Sequence, residues 1–171
     1  MTDKLYIEAL RICYLKALDS PDESTQNAAV LITHQFRGPA KIAMKTLACN
    51  EPPHGWELED KHQERPFKYE IFEHAERNAI YKAAARGVNT WGATLVCPWA
   101  ACSDCARAIV QSKITKLVTR TRDPLLTSAK WLESIAIADE ILTAGGVAIE
   151  FVDARYPELP QIRRNEQAFQ P

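Results

Sequence analysis

Residues 74–80 read HAERNAI and residues 102–109 read CSDCARAI, and the reading of these two stretches decides the fold. The alanine-rich run from Glu73 to Arg86 has helical spacing and stops at Gly87, where a glycine suits a helix end. Ser103 to Ser112 reads as a second helix, and Ala93 to Cys97 between them as a strand. His74 and the Cys102/Cys105 pair therefore fall at two helix N-termini, where unpaired N–H groups and the helix dipole favour thiolate over thiol. One imidazole and two thiolates are three ligands suited to zinc, leaving a fourth position open to water. Glu76 stands two residues from His74, placed to reach that water instead of the metal. A metal that acidifies water beside a carboxylate that moves the proton is a hydrolytic arrangement. The competing readings are a structural zinc site or a redox C-x-x-C. The first wants four protein ligands and no fourth lies nearby; the second leaves His74 and Glu76 unexplained.

Working outward, Asp3 is positioned to cap a first helix whose apolar stripe runs to about Leu18, and Asp19 to Gln26 is rich in turn formers. Asn27–Thr33 and Lys41–Cys49 are apolar runs on either side of Gly38 and Pro39, a β-hairpin pattern. Asn50 to Lys68 is polar and broken by Pro52, Pro53, Gly55 and Pro66. Beyond the second motif come a strand at Lys116–Arg120, a helix from Ser128 to Thr143 ending at Gly145-Gly146, and a strand at Val147–Val152. Helices alternating with strands predict an α/β fold of three layers, α/β/α, with a central sheet of about five strands. The expected organisation is one domain over 1–153, a loop inserted at 50–69, and a tail over 154–171. The tail has no usable period and is expected to wrap a neighbouring subunit.

In the 171 residues, 21 basic and 22 acidic side chains leave a formal charge of -1. A protein gripping long nucleic acid usually carries a basic excess, so the balance favours a small substrate. No apolar run reaches the ~20 residues of a membrane span. The first residues lack the apolar block of a secretory signal. A cytoplasmic protein is expected. The cysteines number five, an odd count that suits metal chemistry better than a disulfide framework.

The two motifs resemble those of the zinc-dependent cytidine/deoxycytidylate deaminase superfamily, whose H-x-E and P-C-x-x-C pattern they match in all but the proline. Two weaker segments add to the likeness, which covers roughly Leu5 to Val152. Asp22 to Ala29 (DESTQNAA) is similar to D-P-x-T-Q-V-G-A, and Ala48 to Gly55 (ACNEPPHG) to G-Y-N-G-x-P-x-G. Within the superfamily the chain looks most like deoxycytidylate (dCMP) deaminases. The resemblance implies a cytidine-deaminase-like fold, one catalytic Zn2+ on His74, Cys102 and Cys105, and Glu76 as proton shuttle. It implies hydrolysis of dCMP to dUMP and ammonia, with 5-substituted dCMP, a nucleoside or a tRNA adenosine as alternative substrates. It also implies a homo-oligomer and dCTP/dTTP effectors, a triphosphate bringing Mg2+ with it. The chain departs from the pattern at Ala101, which replaces the proline before the first thiolate, with Trp99 upstream available to shape a wall against the base. Asn27 and Ala28 replace valine and glycine, departures that bear on effector control.

Substrate contacts are expected from Asn50, the Ala75 N–H and the carbonyl of Ala100 or Ala101. Asn50 also reads simply as a turn residue before Pro52. Arg120 and Arg122 follow a strand at the edge where ligands bind in open α/β sheets, and an arginine there suits a 5′-phosphate. Solvated charge at a strand end is the plainer alternative. Cys13, Cys49, His54 and His62 are candidates for a second zinc site, though such residues in a polar loop are more often incidental. Cys97 reads as a small core residue, and Trp91 and Trp131 as packing in or beside the core.

Overall fold

The structure, a computed structural model, describes residues 2–34, 42–123 and 127–171. Helix α1 (Thr2–Ala17) starts a residue before the expected Asp3 cap and leads into strands β1 (Ala28–His34) and β2 (Ile42–Cys49). These pair antiparallel, from Ala28 opposite Cys49 to His34 opposite Ile42. The expected turn at Gly38 and Pro39 lies outside the described residues, as does Lys41. The polar stretch that follows holds a 3-10 turn at Asp60–Gln63 and the one-turn helix α2 (Lys68–Ile71). Then come α3 (Ala75–Ala85), β3 (Thr94–Val96), α4 (Ser103–Gln111), β4 (Lys116–Arg120), α5 (Ala129–Ala144) and β5 (Ala148–Val152).

The five strands order as β2-β1-β3-β4-β5. β1 runs antiparallel to β3, while β3, β4 and β5 are parallel, joined by crossover helices α4 and α5. The three layers are visible in the strand alternation. On β1, Ala29 and Leu31 pack with Leu95, Leu117 and residues of α3, α4 and α5. Ala28, Val30 and Ile32 point the other way and pack with Val96, Val118 and α1. Successive strand residues face opposite sides, so a sheet covered on both faces needs apolar residues at every position. That is why these strands read as continuous apolar runs.

The segment after β5 corrects one expectation. Residues 154–171, expected to be a tail without structure of its own, pack against their own domain. β6 (Ile162–Arg164) and β7 (Gln167–Phe169) form a hairpin. Tyr156, Leu159, Ile162 and Phe169 are buried in the α1-side core. Trp91 also differs from expectation: it is 65% exposed. Trp131 does pack against the core, and Cys97 is fully buried.

Candidate metal centre and its cleft

His74 is the N-cap of α3 and Cys102 the N-cap of α4. Both have extended backbones that turn into the helix at the next residue. Cys105 lies in the first turn of α4, so the C-x-x-C spacing puts both sulfurs on one side of the helix start. The two N-termini meet because β1 and β3 are neighbours at the centre of the sheet. His74 Nδ1 lies 3.4 Å from Cys102 Sγ and 3.6 Å from Cys105 Sγ. All three donor atoms fall within 4.8 Å of one another. Zinc with bonds of ~2.0–2.3 Å spaces tetrahedral ligand atoms roughly 3.5 Å apart, and both nitrogen–sulfur distances match. Soft sulfur and imidazole donors at that spacing fit zinc, and three of them leave one position of a tetrahedron free.

The electrostatics agree with a cation's place. A hydrogen bond from the Cys105 thiol, strengthened by His74, lowers the Cys102 thiol to about 4. Sharing that proton with Cys102, together with burial, holds Cys105 well above the usual thiol range. Burial pulls the His74 imidazole down, but its bond to Cys102 together with the negative charges of Glu76 and Cys102 raises it overall. Glu76 is 2% exposed, and burial raises its carboxyl above the ordinary range. Its Oε2 is buried without a hydrogen-bond partner among the described residues. An orphaned buried carboxylate oxygen facing a cleft is costly unless something else partners it.

That cleft, about 740 Å³ with part of it open to solvent, is lined by His74, Glu76, Cys102, Asn50, Trp99 and Trp131, among others. Asn50 buttresses it. Its Oδ1 accepts from the Ala75 N–H at 2.9 Å, and its Nδ2 donates to the Thr25 carbonyl at 3.0 Å. Trp131 sets its ring edge against His74, centroids 5.9 Å apart. Trp99 forms part of the wall, as its position before the thiolates suggested.

Not every expected contact is made. The Ala75 N–H is already taken by Asn50, so it has no hydrogen to offer a base. Ala101 is buried at 2% exposure in the core behind α4, while Ala100 lines the cleft. Neither Arg120 nor Arg122 lines it. Arg122 makes two 2.6 Å hydrogen bonds to Asp139 on α5, and Arg120 lies over the Phe169 ring at 5.1 Å. The strand end is the right edge of the sheet, but α5 holds the Arg122 guanidinium, and Arg120 stacks on the hairpin with its buried Nε lacking a hydrogen-bond partner among the described residues. The second zinc site does not form among the described residues either. The Cys13 thiol donates to the Val96 carbonyl, Cys49 to Glu51, and His62 packs between Trp56 and Phe67. The His74–Cys102–Cys105 group is the one metal-holding cluster found there.

The sequence reading missed the cleft's cations. Arg65, Lys68, Lys130 and Arg164 line it against the acids Asp22 and Glu76. Lys68 pairs with Asp22, both almost fully buried. The Asp22 carboxylate also accepts from the Ser24 and Thr25 N–H groups, each at 2.8 Å. Basic residues ahead of α2 were the available signal, hidden in a stretch without period.

The family model describing the cytidine and deoxycytidylate deaminase zinc-binding region matches residues 4–121, which include both motifs. The chain belongs to this family. The deaminase is 30% identical over 137 residues to a deaminase in the luxG 3′ region of Aliivibrio fischeri, covering 78% of this chain and 83% of that protein. Over 57 residues it is 51% identical to the deoxycytidylate deaminase of Enterobacteria phage T2, 33% of this chain and 29% of the phage protein. Among solved structures it resembles the dCMP deaminase of cyanophage S-TIM5 in apo form, with a TM-score of 0.66 at 20% identity. That match covers 89% of this chain and 100% of the other. The same phage protein in complex with dCMP and dUMP matches with a TM-score of 0.63 at 20% identity, over 87% and 95% of the two chains. At such identity the likeness establishes the fold of the deaminase and no more. No described helix is long and apolar enough to cross a membrane.

Proposed function

We propose that the deaminase hydrolyses the 4-amino group of a cytosine nucleotide, converting dCMP and water to dUMP and ammonia. The carrying observation is the buried Glu76 carboxylate, its Oε2 without a partner among the described residues, in the same cleft as His74 and Cys102 of the three-donor group. His74, Cys102 and Cys105 would hold the zinc, which when bound would supply a Lewis acid able to make water nucleophilic near neutral pH. Glu76 accepts the proton of the attacking water and delivers it to ring N3. It then carries a second proton to the amine leaving C4, so one carboxylate serves both halves of the exchange. Asn50 acts through the backbone: by holding the Ala75 N–H it fixes the first turn of α3, and with it His74 and Glu76. Of Ala100 and Ala101, the base-edge contact falls to Ala100, which lines the cleft.

Two observations favour a nucleotide over a nucleoside. The cleft carries four basic side chains against two acidic ones, a surplus that a neutral ligand has no need of. The cyanophage relative, of the same fold, is known in complex with dCMP and dUMP. The test is ammonia release by zinc-loaded protein from dCMP, 5-methyl-dCMP, deoxycytidine and an anticodon stem–loop in parallel. Turnover of dCMP well above deoxycytidine and the stem–loop is expected. Turnover confined to deoxycytidine or to the stem–loop contradicts the proposal.

A further inference from the structure

The β6–β7 hairpin carries a residue that the deamination chemistry leaves unused. Arg164 ends β6, and its guanidinium lies over the Trp99 ring, 4.5 Å from the centroid. It lines the same cleft as His74, Glu76 and Cys102. Its Nε is buried and has no hydrogen-bond partner among the described residues. Burial lowers its pKa, so the surroundings leave its charge under-compensated.

The other three cations of the cleft are occupied. Lys68 is held by Asp22 and the Ser24 hydroxyl. Arg65 pairs with Glu166 at 2.7 Å and donates to the Tyr69 hydroxyl at 2.9 Å. Lys130 donates to the same hydroxyl and lies over the Tyr69 and Trp131 rings. Lys130 has only that neutral hydroxyl, but Arg164 is the one cleft cation whose side chain makes no hydrogen bond or ion pair among the described residues. A buried cation without a counter-charge is costly, and the cost falls when an anion arrives.

The backbone around it is anchored. Arg163 N donates to Gln26 Oε1 and Gln26 N to the Arg163 carbonyl, each at 2.9 Å. Glu166 N donates to the Ser24 carbonyl at 2.7 Å. Ile162 of the same strand is buried in the core, so the alternation of β6 turns Arg164 inward as well. Trp99 covers one face of the guanidinium and leaves its N–H edge for a ligand.

We propose that Arg164, delivered by the C-terminal hairpin, holds the 5′-phosphate of the substrate and sets the preference for nucleotide over nucleoside. This rests on the reading of a cytosine nucleotide as substrate. A guanidinium fork grips phosphate oxygens in pairs, which a lysine at the same place does not reproduce.

The test is equilibrium binding of dCMP and deoxycytidine to zinc-loaded Glu76→Gln protein, which holds ligand without turning it over. Tryptophan fluorescence, to which Trp99 contributes, reports the binding. The same titrations are run with Arg164→Gln and Arg164→Lys added. Arg164→Gln is expected to weaken dCMP binding by about 10- to 100-fold and to close most of the gap to deoxycytidine. Arg164→Lys keeps the charge and the folded hairpin, and is expected to fall between. Unchanged discrimination in both variants overturns the proposal, as does a Glu76→Gln parent that binds the two ligands equally. Deamination of dCMP by the wild-type chain is scored separately. A chain that deaminates dCMP while its Arg164 variants still discriminate loses only this inference. One that binds dCMP through Arg164 without deaminating it keeps the site and loses the reaction.

Discussion

At the residue scale, the grouping of His74, Cys102 and Cys105 and the place of Glu76 beside them were legible because both follow from local spacing. H-x-E and C-x-x-C each fit within one turn at a helix start, and a helix start has the same geometry in any fold. Asn50 was legible as a site residue but not in its work, since its partner Ala75 is 25 positions away. The same bond leaves the Ala75 N–H no hydrogen to offer a ligand. Arg164 left no local trace: it reaches the cleft only because the hairpin folds back over Trp99. Two expected outcomes belong here. Cys105→Ala removes one of three donors, and zinc content per folded chain should fall clearly below that of wild type by elemental analysis. Wild-type zinc content in this variant would mean that the metal sits elsewhere. Asn50→Ala leaves the buried Ala75 N–H unpaired and should cost about 1–3 kcal/mol in urea unfolding. A change within ~0.5 kcal/mol would show that water or a shift of α3 replaces the amide.

At the element scale, helices and sheet strands were readable to within a residue or two because burial forces their periods. β1 hides both faces and so reads as a plain apolar run; α3 and α4 hide one face and keep helical spacing. The terminal hairpin escaped notice for physical reasons. Its strands are three residues each, too short to show a period. Its turn residues Asn165 and Glu166 both adopt positive φ, 51° and 67°, without the Asn-Gly signal that usually marks such a turn. Packing between α4 and α5 gives a sharp prediction. A methyl group added at Gly145, the C-cap of α5, would lie 2.5 Å from one Val110 methyl and 2.8 Å from the other. Gly145→Ala should therefore destabilise the protein by about 1–3 kcal/mol. Adding Val110→Ala should recover part of that loss, a coupling visible in a double-mutant cycle. Strict additivity of the two would place the strain elsewhere. The buried Asp22–Lys68 pair anchors the segment that supplies Arg65. Asp22→Ala strands a buried ammonium and should cost about 3–5 kcal/mol. Thermal or urea unfolding reads it directly, and a loss under ~1 kcal/mol would mean that Lys68 escapes to solvent.

At the scale of the whole molecule, the mixed sheet brings two helix N-termini together, and the last 18 residues close one wall of the cleft between them. The three donor residues and Glu76 come from the family's motifs at the starts of α3 and α4. The cleft's cations come from four places, Arg65 ahead of α2, Lys68 at its start, Lys130 on α5 and Arg164 near the chain end, and no local pattern joins them. Metal that binds the folded chain and not the unfolded one stabilises it by mass action. Chelation should lower the melting temperature, and Zn2+ but not Mg2+ should restore it. A melting temperature indifferent to chelation would remove zinc from the account of the fold. The central claim, that Glu76 moves the protons of a zinc-assisted hydrolysis, rests on one comparison above all. dUMP formation from dCMP should be measured for wild-type and Glu76→Gln proteins matched for zinc content. Turnover falling by about 100-fold or more in the variant, with one zinc retained per chain, is the predicted result. Glu76→Gln protein that holds its zinc and still deaminates dCMP at the wild-type rate would contradict it.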